Sequence, residues 1–172
     1  MNSENGIENA AINLGPRIWI DGDAAPREVK ELVYRASKRL ELRVLVVANQ
    51  SIAVPLAGQR IQAIVVSEGA NMADKYILEN ADVNDLAITA DIPLAAALVD
   101  KGVVVIEPRG DILDANNVKS RLASRDLMDL ARGSGLEIRG PSAYTAKNKA
   151  AFASALDRTL ARLTRSRRSS NS

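Results

Sequence analysis

Four aspartates stand where a carboxylate can do chemistry. Asp21 and Asp23 follow the apolar run Ile18-Trp19-Ile20, Asp91 follows Leu86-Ala87-Ile88 and Thr89-Ala90, and Asp74 lies near the start of a helical stretch after a further apolar run. An apolar run that ends in acids shortly before Pro26 or Pro93 reads as a buried strand presenting carboxylates where a helix begins. If the strands carrying Asp21 and Asp91 are neighbours, the two groups converge, and converging carboxylates repel unless a cation sits between them. Oxygen donors without nitrogen or sulfur favour Mg²⁺ or Mn²⁺ over zinc or copper. Such an ion positions and activates a water and neutralises charge on a phosphodiester. The chemistry implied is metal-assisted phosphoryl hydrolysis, with Asp21 and Asp91 as direct ligands, Asp74 as a ligand or water-orienting group, and Asp23 as support or as ligand to a second metal.

A plainer role competes with this one. Aspartate before a helix is a favoured N-cap, stabilising it by about 1 kcal/mol, and Asp21, Asp23, Asp91 and Asp114 all sit near expected helix starts. The two roles are compatible. Thr89 can contact a metal-bound water or a phosphate, or simply bond local backbone. Asn49 and Gln50, at the end of the second strand, either support the rim or form a turn. Arg109, with Arg125, Arg132 and Arg139, could line the rim, and the run from Arg158 to Arg168 could form a phosphate-binding arm, or be a solvated helix end and a disordered tail. Trp19 is expected in the core, and Arg109-Gly110-Asp111 matches an adhesion tripeptide only by chance.

Composition removes most other chemistry. The chain has no cysteine and no histidine, which excludes disulfides, thiolate zinc sites, Ser-His-Asp triads and imidazole acid-base catalysis. It has neither GxGxxG nor GxxxxGK[ST], so a dinucleotide cofactor or a P-loop lacks its defining loop. No apolar run is long enough to span a bilayer and residues 1–15 hold no signal-peptide core, so a cytoplasmic location is expected. Aromatic residues make up 3% of the chain, leaving few for base stacking, so any nucleic-acid contact would be largely electrostatic.

The elements that must position these residues alternate. Strands are expected at 17–21, 42–48, 61–66, 85–89 and 103–106, with helices from Pro26 to about Leu40, from 69–71 to about Asn80, and from Pro93 to Lys101. Two helices follow, from Asp114 to about Arg132 and from Thr145 to about Leu163, the latter with Phe152, Leu156, Leu160 and Leu163 at helical spacing. The second strand is apolar except for Arg43, which suits a strand covered on both faces. The fold class is α/β: a mostly parallel sheet of about five strands with helices on both faces, a Rossmann-like three-layer arrangement, plus two C-terminal helices. At 172 residues with 47% hydrophobic content, one domain over 16–164 is expected, between a flexible lead-in at 1–15 and a flexible basic, serine-rich tail at 165–172. Ligands of such sheets sit at the carboxyl ends of the strands.

Five segments in order resemble one family. Ile18 to Pro26, Val47-Ala48-Asn49-Gln50, Ile88 to Ala95, Pro108-Arg109-Gly110 and Arg125-Asp126-Leu127-Met128-Asp129 together look like the bacterial YaiI/YqxD family of uncharacterised proteins, over about Arg17 to Leu163. The resemblance implies a PIN-like fold, similar to ribonuclease domains that bind Mg²⁺ or Mn²⁺ through acids at strand ends. Carried over, Asp21 matches the first-strand acid, Asp91 the acid of the Thr-x-Asp segment and Asp74 the helical acid, while Asp23 belongs to the family's own opening motif. The family usually reads Asp-Ala-Asp-Ala-Cys-Pro where this chain has Asp21-Gly22-Asp23-Ala24-Ala25-Pro26, so a thiol role is lost here and a carboxylate role survives. The expectation is a divalent-metal nuclease acting on RNA, with Asn49, Thr89 and Arg109 as substrate contacts. The alternatives are a non-catalytic module binding nucleic acid or protein, and a small-molecule phosphoesterase.

Overall fold

The computed structural model describes residues 15–56, 60–140 and 142–170. The expected lead-in therefore falls, apart from Gly15, outside the described residues, as do positions 171 and 172 of the expected tail. Eleven elements run in the order β1 (Ile18–Asp21), α1 (Arg27–Leu40), β2 (Val44–Ala48), β3 (Ile61–Val65), α2 (Met72–Asn80), β4 (Leu86–Ile88), α3 (Ile92–Asp100), β5 (Val104–Ile106), β6 (Ile112–Leu113), α4 (Val118–Gly133) and α5 (Ala146–Ser170).

The sheet has six strands in the order β3-β2-β1-β4-β5-β6, parallel except for the antiparallel β5–β6 pair. β1 and β2 are buried at every position, as strands covered on both faces must be. Side chains alternate between two cores. Ile18 and Ile20 join Val29 and Val33 of α1 with Phe152, Leu156 and Leu160 of α5 on one face. Trp19 joins Ile77 of α2, Leu94 and Leu98 of α3 and, at the margin, Leu122 of α4 on the other. The expected three-layer α/β architecture is what the chain forms.

Three boundaries differ from expectation. A sixth strand appears because Glu107 to Asp111 makes a tight hairpin: the Gly110 N–H donates to the Glu107 carbonyl and the Glu107 N–H to the Asp111 carbonyl, both at 2.8 Å. Gly110 has φ +102, and a Cβ there would lie 2.7 Å from the Ala151 backbone, so the turn needs glycine on both counts. α4 begins at Val118 rather than Asp114, since the Asp114 carboxylate accepts the N–H groups of Asn116 (2.8 Å) and Asn117 (3.2 Å) and holds a preceding turn. α5 continues past Leu163 to Ser170.

The crossovers fix where a ligand can sit. α1 covers one face as the chain moves from β1 outward to β2, and α3 covers the other as it moves from β4 outward to β5. The strand order reverses between β1 and β4, and the crevice outside their carboxyl ends is the place such sheets offer a ligand.

Candidate functional site

β1 and β4 pair directly, with Ile20 opposite Ile88. Asp21 therefore ends one strand beside the loop that carries Asp91 from the other. Trp19 faces the α2–α3 core, and Asp21, two residues on, faces the same way. α2 packs against β1 and β2 and carries Asp74 in its first turn. Three elements thus deliver one aspartate each to the end of the crevice.

The electrostatics show how close they come. Asp21 is 9% exposed, and burial raises its pKa; N–H groups of Ala24 and Asp23 bond the carboxylate and oppose the rise, while the charges of Asp23 and Asp91 add to it. Asp74 is pushed up to about 6, first by burial, then by the charges of Asp91 and Asp21, and by a hydrogen bond its protonated carboxyl makes with Asp91. Carboxyl groups that raise one another's pKa favour an added proton or cation. Among the described residues, however, no group of three or more acids is spaced to hold a metal ion. The oxygen donors suit Mg²⁺ or Mn²⁺ in kind.

The other expected residues have definite places. Asp91 Oδ1 accepts the Leu94 N–H at 2.9 Å and caps α3. Thr89 is 2% exposed, and its hydroxyl accepts the Asp91 N–H at 3.0 Å, shaping the turn that aims Asp91. Exposed Asp23 accepts the Asn49 N–H at 2.8 Å and ties the loop after β1 to the end of β2; the Asn49 side-chain oxygen is buried without a protein partner. Neither Asp21 nor Asp23 caps α1, whose N-cap position is Pro26. Gly22 is enclosed: a Cβ would meet Val46 at 2.7 Å and Ile52 at 2.8 Å.

Beside the carboxylates, past Ala24 and Ala90, lies a cleft of about 650 Å³ between the β5–β6 turn and α4. Of the arginines expected on the rim, Arg109, Arg125 and Arg132 line it and Arg139 does not. Arg109 is held by Ser142 and Asn148. The arginines from Arg158 onward extend along α5, whose buried stripe packs on α1 and β5.

Sequence reasoning missed Glu107 and Arg121. Glu107 directly follows β5, is 7% exposed, and receives Arg121 at 2.7 and 2.6 Å. Burial raises its pKa while the bond and charge of Arg121 pull it down. The signal was present: an acid directly after the apolar run Val103 to Ile106.

Comparison with known proteins places residues 19–162 within the model described as "Uncharacterized BCR, YaiI/YqxD family". The chain is similar to a UPF0178 protein from Trichlorobacter lovleyi, 51% identical over 86% of this chain and 96% of that one. It is also similar to one from Geobacter metallireducens, 49% identical over 88% and 97%. Among solved structures, homospermidine synthase from Legionella pneumophila resembles it loosely, with TM-score 0.42 and 12% identity over 74% of this chain and 36% of that one.

Proposed function

The chain belongs to the YaiI/YqxD family, and we propose that it is a PIN-like, divalent-metal-dependent phosphodiesterase acting on RNA. The observation that carries this reading is the delivery of Asp21, Asp74 and Asp91 by β1, α2 and the loop after β4 to the switch point of a parallel sheet, where burial and the neighbouring carboxylates raise the pKa of Asp74. A fold that pushes three acids together against their own repulsion gains from a cation and has placed the cost where ligands bind.

In this reading Asp21, Asp74 and Asp91 would hold Mg²⁺ or Mn²⁺, with Asp23 supporting from the loop after β1. When bound, the ion supplies charge neutralisation at the phosphate and an activated water. The chain's own residues do the rest. Thr89 and the Leu94 N–H fix the Asp91 carboxylate in one orientation, and enclosed Gly22 fixes the loop between Asp21 and Asp23. Asn49 stands beside Asp23 as a substrate contact, and Arg109, pinned by Ser142 and Asn148, offers a positioned guanidinium to a phosphate.

A second reading has its own support: Asp91 already serves as a helix cap, and no described triplet of acids is spaced for an ion. A module that binds nucleic acid without cutting it needs only the cleft. The separating experiment incubates purified protein with Mn²⁺ and labelled single-stranded RNA, beside Asp21→Asn and Asp91→Asn. Metal-dependent cleavage lost in both variants is expected. Cleavage no greater than that of Asp21→Asn, with no Mg²⁺ or Mn²⁺ binding by calorimetry, hands the protein to the binding reading. Hydrolysis of p-nitrophenyl phosphate with RNA left intact points instead to a small-molecule phosphoesterase.

A further inference from the structure

α4 carries a stripe that the acidic site does not use. Arg121, Arg125, Met128 and Arg132 all line the cleft, and their spacing of four, three and four residues keeps them on one face of the helix. From Arg121 to Arg132 the stripe runs about 16 Å along the axis, much longer than one phosphate. Each of its arginines has an acidic partner within the chain and stays partly exposed. Asp129 is shared between Arg125 at 3.3 Å and Arg132 at 3.2 Å, and Asp126 lies 3.7 Å from Arg125. Arg121 is anchored from beneath by Glu107 yet keeps 46% of its side chain exposed. The lining arginines Arg109, Arg121, Arg125 and Arg132 outnumber the lining acids Glu107 and Asp111, and Asp126 and Asp129 on α4 bring the local charges to balance.

We infer that the α4 stripe is a second phosphate-binding subsite, so that the ligand is a single RNA strand running from the carboxylates across Ala24 and Ala90 onto Arg125 and Arg132. The inference rests on the RNA reading above for its choice of ligand, and it extends that reading from one scissile phosphate to several. A line of cations suits a chain of phosphates better than a lone anion, and Met128, 42% exposed between Arg125 and Arg132, offers apolar surface to a base. Glu107 acts as a positioning residue by fixing the Arg121 guanidinium at the inner end of the stripe.

The test measures binding of an end-labelled single-stranded RNA of about twelve nucleotides to the full chain by fluorescence anisotropy, with a chelator present so that nothing is cut. Arg125→Gln with Arg132→Gln is expected to weaken binding roughly tenfold and to flatten the dependence of log affinity on log salt by about 1.4. Ser124→Glu, which sets a carboxylate among the arginines, should weaken it as well, and Arg158→Gln with Arg162→Gln on α5 should change neither quantity. The subsite is overturned if the α4 double variant keeps wild-type affinity and slope, if the α5 pair produces the loss instead, or if the wild type fails to bind. It is overturned equally if poly-glutamate at matched charge displaces the probe as well as unlabelled RNA does, which would mark a surface for an acidic protein. Intact, stripe-dependent binding without cleavage removes the nuclease and keeps the subsite; cleavage with unchanged binding in the α4 variant removes the subsite alone.

Discussion

Replacing Asp74 by asparagine should make the protein more stable and less competent. A carboxyl moved from 3.8 to about 6 carries about 3 kcal/mol of penalty on its charged form. Solvent reaches part of Asp74, and screening brings the expected figure to about 1 kcal/mol. The sign follows from linkage. Below 3.8 both folded and unfolded Asp74 hold a proton, and the variant gains nothing. As pH rises to about 6 the unfolded chain ionises while the folded one resists, so wild-type stability is lost across that window and stays lost above it. The introduced amide keeps a donor for Asp91 and sheds the charge. Urea unfolding in a chelator should therefore show a gain of about 1 kcal/mol above the window, matched by a thermal midpoint about 3 °C higher for a chain of this size, and no gain below it. Mn²⁺ should raise the wild-type midpoint more than the variant's, because the ion relieves a repulsion the variant no longer has. Equal stability above the window, or an equal gain at every pH, would refute the idea that neighbouring carboxylates press on Asp74. An identical Mn²⁺ response would remove it from any cation site.

Three further outcomes follow from packing and pairing. Gly22→Ala must push Val46 and Ile52 aside; a loss of about 2 kcal/mol in urea unfolding, with metal binding weakened beyond that, is expected, and unchanged metal affinity would free the Asp21–Asp23 loop from its positioning role. Arg121→Leu leaves Glu107 buried beside no guanidinium and should cost about 2 kcal/mol, discounted because Arg121 is half exposed. Adding Glu107→Gln should recover most of it in a double-mutant cycle, and simple additivity would deny the coupling. Asp85→Ala removes the acceptor for the Arg17 and Asp82 backbone N–H groups and the Trp19 indole N–H, so about 3 kcal/mol should go. The fluorescence of Trp19, the chain's one tryptophan, should shift with it; an unmoved emission spectrum would contradict the bond.

Much of this architecture is legible in the residues because both cores depend on period. The apolar strands announce a sheet covered on two faces, and alternation with helices of ordinary length leaves right-handed crossovers as the economical route. From there Asp21 and Asp91 fall at strand ends without further information, and the β1–β4 pairing that brings them together needed only the commonest open-sheet order. What could not be read has specific causes. β6 is two residues long, too short for any period, and exists through the Gly110 turn. Glu107 was hidden by Pro108, which reads as a strand stop and draws the eye from the acid before it. Arg125 and Arg132 were legible as rim residues, whereas Arg121 was not, because it joins them only once α4 lies against α3 beside the β5–β6 turn and Glu107 receives its guanidinium.

The aspartate at the head of α3 shows why helix cap and metal ligand need not be alternatives. Capping commits Asp91 Oδ1 to the Leu94 N–H, and a carboxylate has capacity for several more partners on its two oxygens. The cap removes rotational freedom that an ion would otherwise have to take away on binding, and the Thr89 hydroxyl on the Asp91 N–H fixes the backbone beneath it. Preorganisation of this kind lowers the entropic cost of ligation. Asp74, half-buried and facing the Asp91 and Asp21 carboxylates, is raised to about 6, first by burial and then by those charges. Removing the Asp91 charge should accordingly move Asp74. An Asp91→Asn variant keeps the hydrogen-bond acceptor and sheds the charge, so the Asp74 pKa should fall toward its ordinary value, readable by carboxyl NMR; a value still near 6 would leave burial and the Asp21 charge as its causes.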